Sequence, residues 1–138
     1  MIVAYHDVYS VAKLMEVYKV VSAYGIQTFV VSRVQGAAAQ TGIPEISVKA
    51  FQEGVKLLVV PDIKDAVELL RPSKVIILSK RAEKVFDPSE VTEDTMVVVT
   101  GTEPDVSKWD EVGDLRAVEP RNLGDVGRIT VALCKLTP

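Results

Sequence analysis

Four short aliphatic runs punctuate the chain: Thr28-Phe29-Val30-Val31, Leu57-Leu58-Val59-Val60, Val75-Ile76-Ile77-Leu78 and Met96-Val97-Val98-Val99. None alternates apolar with polar residues. That pattern predicts strands buried on both faces, as in a parallel sheet with helices on either side. Ile2-Val3-Ala4-Tyr5 adds a fifth strand, and Leu115-Arg116-Ala117-Val118 a weaker sixth. Between the runs the period turns helical. Val11, Leu14, Met15, Tyr18 and Val21 fall on one face, with Lys13, Glu16 and Lys19 opposite. Ser10 or Asp7 suits the N-cap, and Gly25 the left-handed position past the end. A second helix is predicted from Ile63 to Leu70, capped by Asp62 and stopped by Pro72. Residues 37–40 and 44–55 read as one or two more. Asp125 would cap a last helix that turns Val126, Ile129, Leu133 and Leu136 inward. The order β-α-β-α-β-α-β-α-β-(β)-α predicts the α/β class, with an open, mostly parallel sheet and helices on both faces.

Composition narrows the functional classes. The 138 residues make one typical domain, 48% hydrophobic and 25% charged, which excludes disorder and fibrous repeats. Sixteen basic against nineteen acidic residues leave a net charge of −3, so any nucleic acid must be met by a local basic patch. A single cysteine excludes an internal disulfide framework and a cysteine zinc cluster. Cys134 itself is expected to be a buried, inert thiol in the last helix. The first strand begins at Ile2 without a leader-like segment, and no apolar run nears the ~20 residues of a membrane span. These features predict a single domain inside the cell.

Ligands of open parallel sheets gather beyond the carboxyl ends of the strands. Those ends here carry His6-Asp7, Ser32-Arg33, Pro61-Asp62, Ser79-Lys80-Arg81 and Thr100-Gly101-Thr102-Glu103. Each can equally serve as an ordinary helix cap or turn. His6, the only histidine, is either a proton carrier or a hydrogen-bonded loop residue. No dinucleotide fingerprint follows the first strand, and no phosphate-loop pattern occurs. Asp62-Ile63-Lys64 matches the acid-x-lysine end of a metal-dependent nuclease, but a second acid would be needed to share the ion. Asp62 is better read as a helix cap, and the sequence points to no metal site.

The C-terminal third, MVVVTGTEPDVSKWDEVGDLRAVEPRNLGDVGRITVALCKL from Met96 to Leu136, resembles the SPOUT class of S-adenosylmethionine-dependent RNA methyltransferases, the SpoU branch in particular. The features that carry it are a strand ending in Gly101-Thr102-Glu103, the segment Val118-Glu119-Pro120, and a loop from Asn122 to Gly127 before the closing helix. In the first half, Ala23-Tyr24-Gly25 and the small-residue stretch QGAAAQ (35–40) are similar to the SpoU opening. More narrowly, the chain resembles a small archaeal family labelled either SpoU-like methylase or RecB-type nuclease, and these residues favour the methylase label.

The resemblance implies a trefoil knot at the C-terminus, a homodimer formed through the first and last helices, and an S-adenosyl-L-methionine site built from three loops. That site would comprise Leu78 and Ser79; Thr100, Gly101, Thr102 and Glu103; and Val118, Pro120, Leu123, Val126 and Gly127. The SpoU pattern N-x-G-x-x-x-R on the first helix is absent, and Glu16 stands where the arginine belongs. Arg128, or Asn122 in a shifted alignment, takes the place of the third-motif asparagine. Lys13, His6 and Arg128 are the candidates left to act in catalysis. Basic Arg33, Lys80, Arg81, Arg121 and Arg128 are expected near the strand-end face, where they could receive RNA phosphates. Three readings follow: a cytoplasmic RNA methyltransferase acting at a ribose 2′-hydroxyl, a catalytically silent cofactor- or RNA-binding descendant, and a metal-dependent nuclease.

Overall fold

In a computed structural model, which describes residues 1–137, the aliphatic runs form six strands of one all-parallel sheet. These are β1 (Ile2–Val8), β2 (Thr28–Val34), β3 (Lys56–Val60), β4 (Lys74–Leu78), β5 (Thr95–Thr100) and β6 (Asp114–Arg116). Their spatial order is β3-β2-β1-β5-β4-β6. The chain moves outward from β1 through β2 to β3, then crosses back, and β5 slots between β1 and β4. Tyr5 thus pairs with Val31 on one side and Val99 on the other. The direction of winding reverses at the β1/β5 boundary, the place where open α/β sheets form a crevice.

Helices α1 (Val11–Ala23), α2 (Ile43–Glu53) and α5 (Gly124–Leu136) cover one face, where Tyr5, Phe29, Leu14, Ile46, Ile129 and Leu133 are completely or almost completely buried. The helices α3 (Ile63–Leu70) and α4 (Val106–Trp109) cover the other, over Ala4, Val30, Ile77 and Val98. Ser10, not Asp7, caps α1 by accepting the Lys13 N–H, and Gly25 follows the helix at φ 73°. Asp62 and Asp65 close a capping box on α3. A π-helical turn, Ala38–Gly42, leads directly into α2. No described helix is long and apolar enough to cross a membrane.

Five expectations need correction. β3 is an edge strand whose Val59 is 42% exposed, so its apolar run is not buried on both faces. No α-helix joins β4 to β5. Residues 79–94 hold one 3-10 turn, Pro88–Glu90, because Pro88 interrupts a stretch with no helical apolar period and its backbone bonds go elsewhere. The helix of this half lies instead between β5 and β6, as α4. Asp125 does not cap α5: Leu123 precedes the helix without a side-chain cap, and Asp125 sits in the first turn. Cys134 is exposed, since it lies about a third of a turn around α5 from buried Leu133.

The backbone of the β4–β5 loop bonds to the end of β6. Ser79 N–H donates to Arg116 O at 2.9 Å, Phe86 N–H to Ala117 O at 2.8 Å, and Ala117 N–H returns to Lys84 O at 2.8 Å. The 3-10 turn is clipped on as well. Glu90 accepts from Arg116 Nε at 2.9 Å and Lys74 Nζ at 2.7 Å, and these two cations hold its carboxyl down at about 2.

Candidate functional site

Two polar clusters flank the turn that follows β5. Gly101 is where that turn passes under β1: its N–H donates to His6 O at 2.7 Å, and a Cβ there would lie 2.0 Å from Asp7 O. Only glycine fits so close an approach.

On the β1/β2 side, His6 is 4% exposed and Ser32 wholly buried, and His6 Nδ1 lies 2.7 Å from Ser32 Oγ. The imidazole meets the Trp109 ring edge-on at 5.0 Å. Burial lowers the His6 pKa, while Asp7 and Asp62 pull it partly back. The folded ring is therefore held neutral below its ordinary range. Its other nitrogen, Nε2, is 3.8 Å from Asp7 Oδ1. Asp7 Oδ2 accepts from Thr102 Oγ1 at 2.8 Å, and Arg33 Nε lies 3.1 Å from Oδ1. Asp7 and Arg33 both adopt left-handed backbone, at φ 60° and 49°, at equivalent places between the His6–Ser32 and Val8–Val34 pairs.

On the β4/β5/β6 side, Ser79 Oγ donates to Glu103 Oε1 at 2.8 Å, and Arg81 N–H donates to Ser79 Oγ at 3.1 Å. Arg128 reaches in from α5 to within 3.5 Å of Glu103 Oε2, its side chain only 7% exposed. Its Nε and Nη1 are buried without a hydrogen-bond partner. Donors in that condition cost free energy unless something accepts from them. Beside them the buried Tyr5 hydroxyl donates to Asp125 Oδ2; burial first, then this bond, drives its pKa far up. Asp125 Oδ1 accepts the Val126 N–H.

Of the three loops expected to form one site, the first two touch through Ser79 and Glu103, and Arg128 of α5, just past the third, approaches Glu103. Within them Leu78, Thr100 and Val118 are buried, and Val118 belongs to the hydrophobic core. Pro120 is exposed, Leu123 is 38% exposed and lies over Gly127, and Val126 is half-buried. Lys13 is exposed on α1 and joins neither cluster. His6 belongs to the opposite cluster from Arg128. The expected basic patch is largely neutralised: Arg33, Arg121 and Arg128 pair with Asp7, Glu119 and Glu103. Among the described residues, Lys80 and Arg81 have no acidic partner within salt-bridge distance. Asp62 Oδ1 accepts from Ile63 N–H at 2.7 Å and Asp65 Oδ2 takes the Asp62 N–H, so both acids serve the helix start. Among the described residues no three His, Cys, Asp or Glu side chains converge as metal ligands do. Sequence reasoning missed Trp109 and the Tyr5–Asp125 pair. The polar Ser32, in register with His6 at the end of an apolar strand, was a readable signal of the first cluster.

The six-stranded all-parallel sheet with helices on both faces matches the fold of solved SpoU methyltransferases. The chain superposes over 99% of its length on the SpoU methyltransferase AviRb from Streptomyces viridochromogenes in complex with AdoMet, at a TM-score of 0.74 and 15% identity. It spans 58% of that longer chain. By sequence the chain belongs to the family described as RecB-family nuclease (DUF2122), whose model matches residues 36–135. Relatives include "Putative type II restriction enzyme ApeKORF2002P" of Aeropyrum pernix, 34% identical over 92% of this chain and 84% of its own. "Putative type II restriction enzyme MjaORF1200P" of Methanocaldococcus jannaschii is 30% identical over 99% of this chain and 96% of its own.

Proposed function

We propose that the protein is a SpoU-like, S-adenosylmethionine-dependent RNA methyltransferase acting at a ribose 2′-hydroxyl. The observation that carries this reading is the guanidinium of Arg128, buried beside Glu103 with two donor nitrogens that make no hydrogen bond. Such donors suit a carboxylate, the group at the methionine end of the cofactor. Ser79 and Glu103 would hold its polar parts, and the backbone of 100–103 and 118–127 would enclose the adenosyl group, with Leu123 and Val126 as apolar wall. The bound cofactor supplies an electrophilic methyl group. The protein's part is to fix Arg128 and Glu103 against each other, keep water from the turn, and bring the acceptor to it.

The knot belongs to the same proposal. Residues 116–117 are hydrogen-bonded on one side to Ser79 and on the other to residues 84–86, which supports a tail threaded through that loop. A homodimer through α1 and α5 and a cytoplasmic setting among RNA complete it. Of the basic residues expected near this face, Lys80 and Arg81 have no ion pair among the described residues and would meet RNA phosphate.

Calorimetry with S-adenosylmethionine and S-adenosylhomocysteine is the test. Saturable heat supports the assignment, and none at millimolar ligand removes it. Glu16 in place of the family's arginine favours a second reading, a silent descendant that binds without transferring methyl. Incorporation of labelled methyl into total RNA, lost in Arg128→Met, would exclude that reading. The nuclease reading draws on the names of sequence relatives, but Asp62, the acid it needs, is committed to the cap of α3.

A further inference from the structure

The β1/β2 cluster touches the proposed cofactor loops only at the 101–102 turn, and it concentrates unusual features of its own. Two adjacent residues other than glycine sit in left-handed backbone, each costing on the order of 1 kcal/mol. One carboxylate oxygen, Asp7 Oδ1, is buried with no hydrogen-bond donor. Arg33 Nε lies over that oxygen at 3.1 Å without donating along its N–H, while the Arg33 side chain is 57% exposed. Asp7 stands at the end of β1, the strand that borders the reversal of strand order at β1/β5, and Arg33 lies one strand outward on β2. A groove of about 390 Å³, lined by Arg33, Gln35, Val60 and Pro61, opens beside it.

We propose that Asp7 and Arg33 form a ribose–phosphate cradle for single-stranded RNA. The Asp7 carboxylate takes the ribose 2′-hydroxyl, and Arg33 swings off Oδ1 onto the neighbouring phosphate. A hydroxyl gives Asp7 Oδ1 the hydrogen bond it lacks, and a phosphate gives the mostly exposed guanidinium a partner that a lone carboxylate satisfies poorly. Thr102 and the neutral His6, itself pinned by Ser32, hold the carboxylate from the other sides. The left-handed turns aim both side chains outward from the strand ends; in regular β conformation they would follow the pleat. A DNA strand satisfies Arg33 equally and leaves Asp7 Oδ1 unpaired, so selectivity for RNA resides in Asp7 and affinity in Arg33. The inference rests on the proposed RNA substrate and names the residues that recognise its sugar. It does not rest on cofactor binding.

The single tryptophan touches the single histidine beside Asp7, so Trp109 fluorescence and the His6 ring resonances report on the cradle without competing signals. Titration of the protein, without cofactor, with one single-stranded RNA and the DNA of the same sequence is expected to show RNA bound about tenfold more tightly. Asp7→Gly, which keeps the left-handed backbone, should bring the ratio to unity without lowering the melting temperature. Arg33→Gly should weaken both ligands alike. Equal binding by the unaltered protein overturns the cradle, as does a ratio that survives Asp7→Gly. Cofactor calorimetry stands apart. Heat from S-adenosylmethionine with no ribose preference removes the cradle alone, and the converse removes only the methyl donor.

Discussion

The two sides of the sheet's carboxyl edge are built by different means. At β1 and β2 a left-handed residue interrupts each strand one place before its end, Asp7 and Arg33, and Val8 and Val34 pair again beyond them. At β4, β5 and β6 no residue of the loops has that strain except Gly124, which can bear it; the loop of 79–86 instead bonds to residues 116–117, and Arg128 arrives from a distant helix. One side stores its cost in conformation, the other in an incompletely satisfied buried charge. A site assembled by strain can be altered locally. One assembled by packing responds to changes far along the chain.

The largest effect is expected where the sides touch. Gly101→Ala places a methyl against the Asp7 carbonyl and should cost about 3 kcal/mol or more, read from urea unfolding. A smaller loss would mean that the two sides are less tightly joined than they look. Arg128→Met removes the buried cation of the packed side alone. Cofactor affinity should fall about tenfold or further, with RNA-over-DNA preference intact. Asp62→Ala should cost about 1 kcal/mol as a lost cap and leave methyl transfer unchanged.

Glu90→Gln loosens the clip behind the packed side. The folded Glu90 carboxyl is held far below its unfolded value by Arg116 and Lys74, so its stabilisation is complete above the ordinary carboxylate range. It fades as pH falls towards about 2. Urea midpoints of the variant should therefore lie below those of the parent at neutral pH and converge with them in acid. Arg71→Gly is the smallest and serves as the control for strain. Arg71 ends α3 at φ 47° away from either cluster, so its replacement should add roughly 0.5 kcal/mol and alter no binding.

Much of the fold could be read directly from period. The runs at 28–31, 75–78 and 96–99 are strands because unbroken aliphatic stretches can only be covered on both sides. β3 misled because Leu57-Leu58-Val59-Val60 has the same composition, and nothing local says that a strand lies at an edge. Asp125 looked like a cap because caps are short-range, whereas its partner Tyr5 comes from the other end of the chain. Glu103 and Arg128 were named through the SpoU resemblance; their pairing, and the nitrogens it leaves without a hydrogen bond, depends on how α5 returns. Arg33 and Arg121 were counted as free cations because the acids beside them, Asp7 and Glu119, become partners only once the turns are formed. Asp7 was named as a possible cap and as part of the β1 end, but its left-handed backbone and its pairing with Arg33 appear only in the folded chain.

The insertion of β5 between β1 and β4 carries a consequence for biosynthesis. Until Val99 has left the ribosome, the nascent chain holds β1–β2–β3 with the inner edge of β1 bare and β4 without either neighbour. The apolar edge of β1 that β5 covers is thus open through most of translation, and its closure is a long-range, slow event. Chaperone dependence should follow the emergence of residues 95–100, and truncation just before them should yield aggregates, not a smaller folded unit.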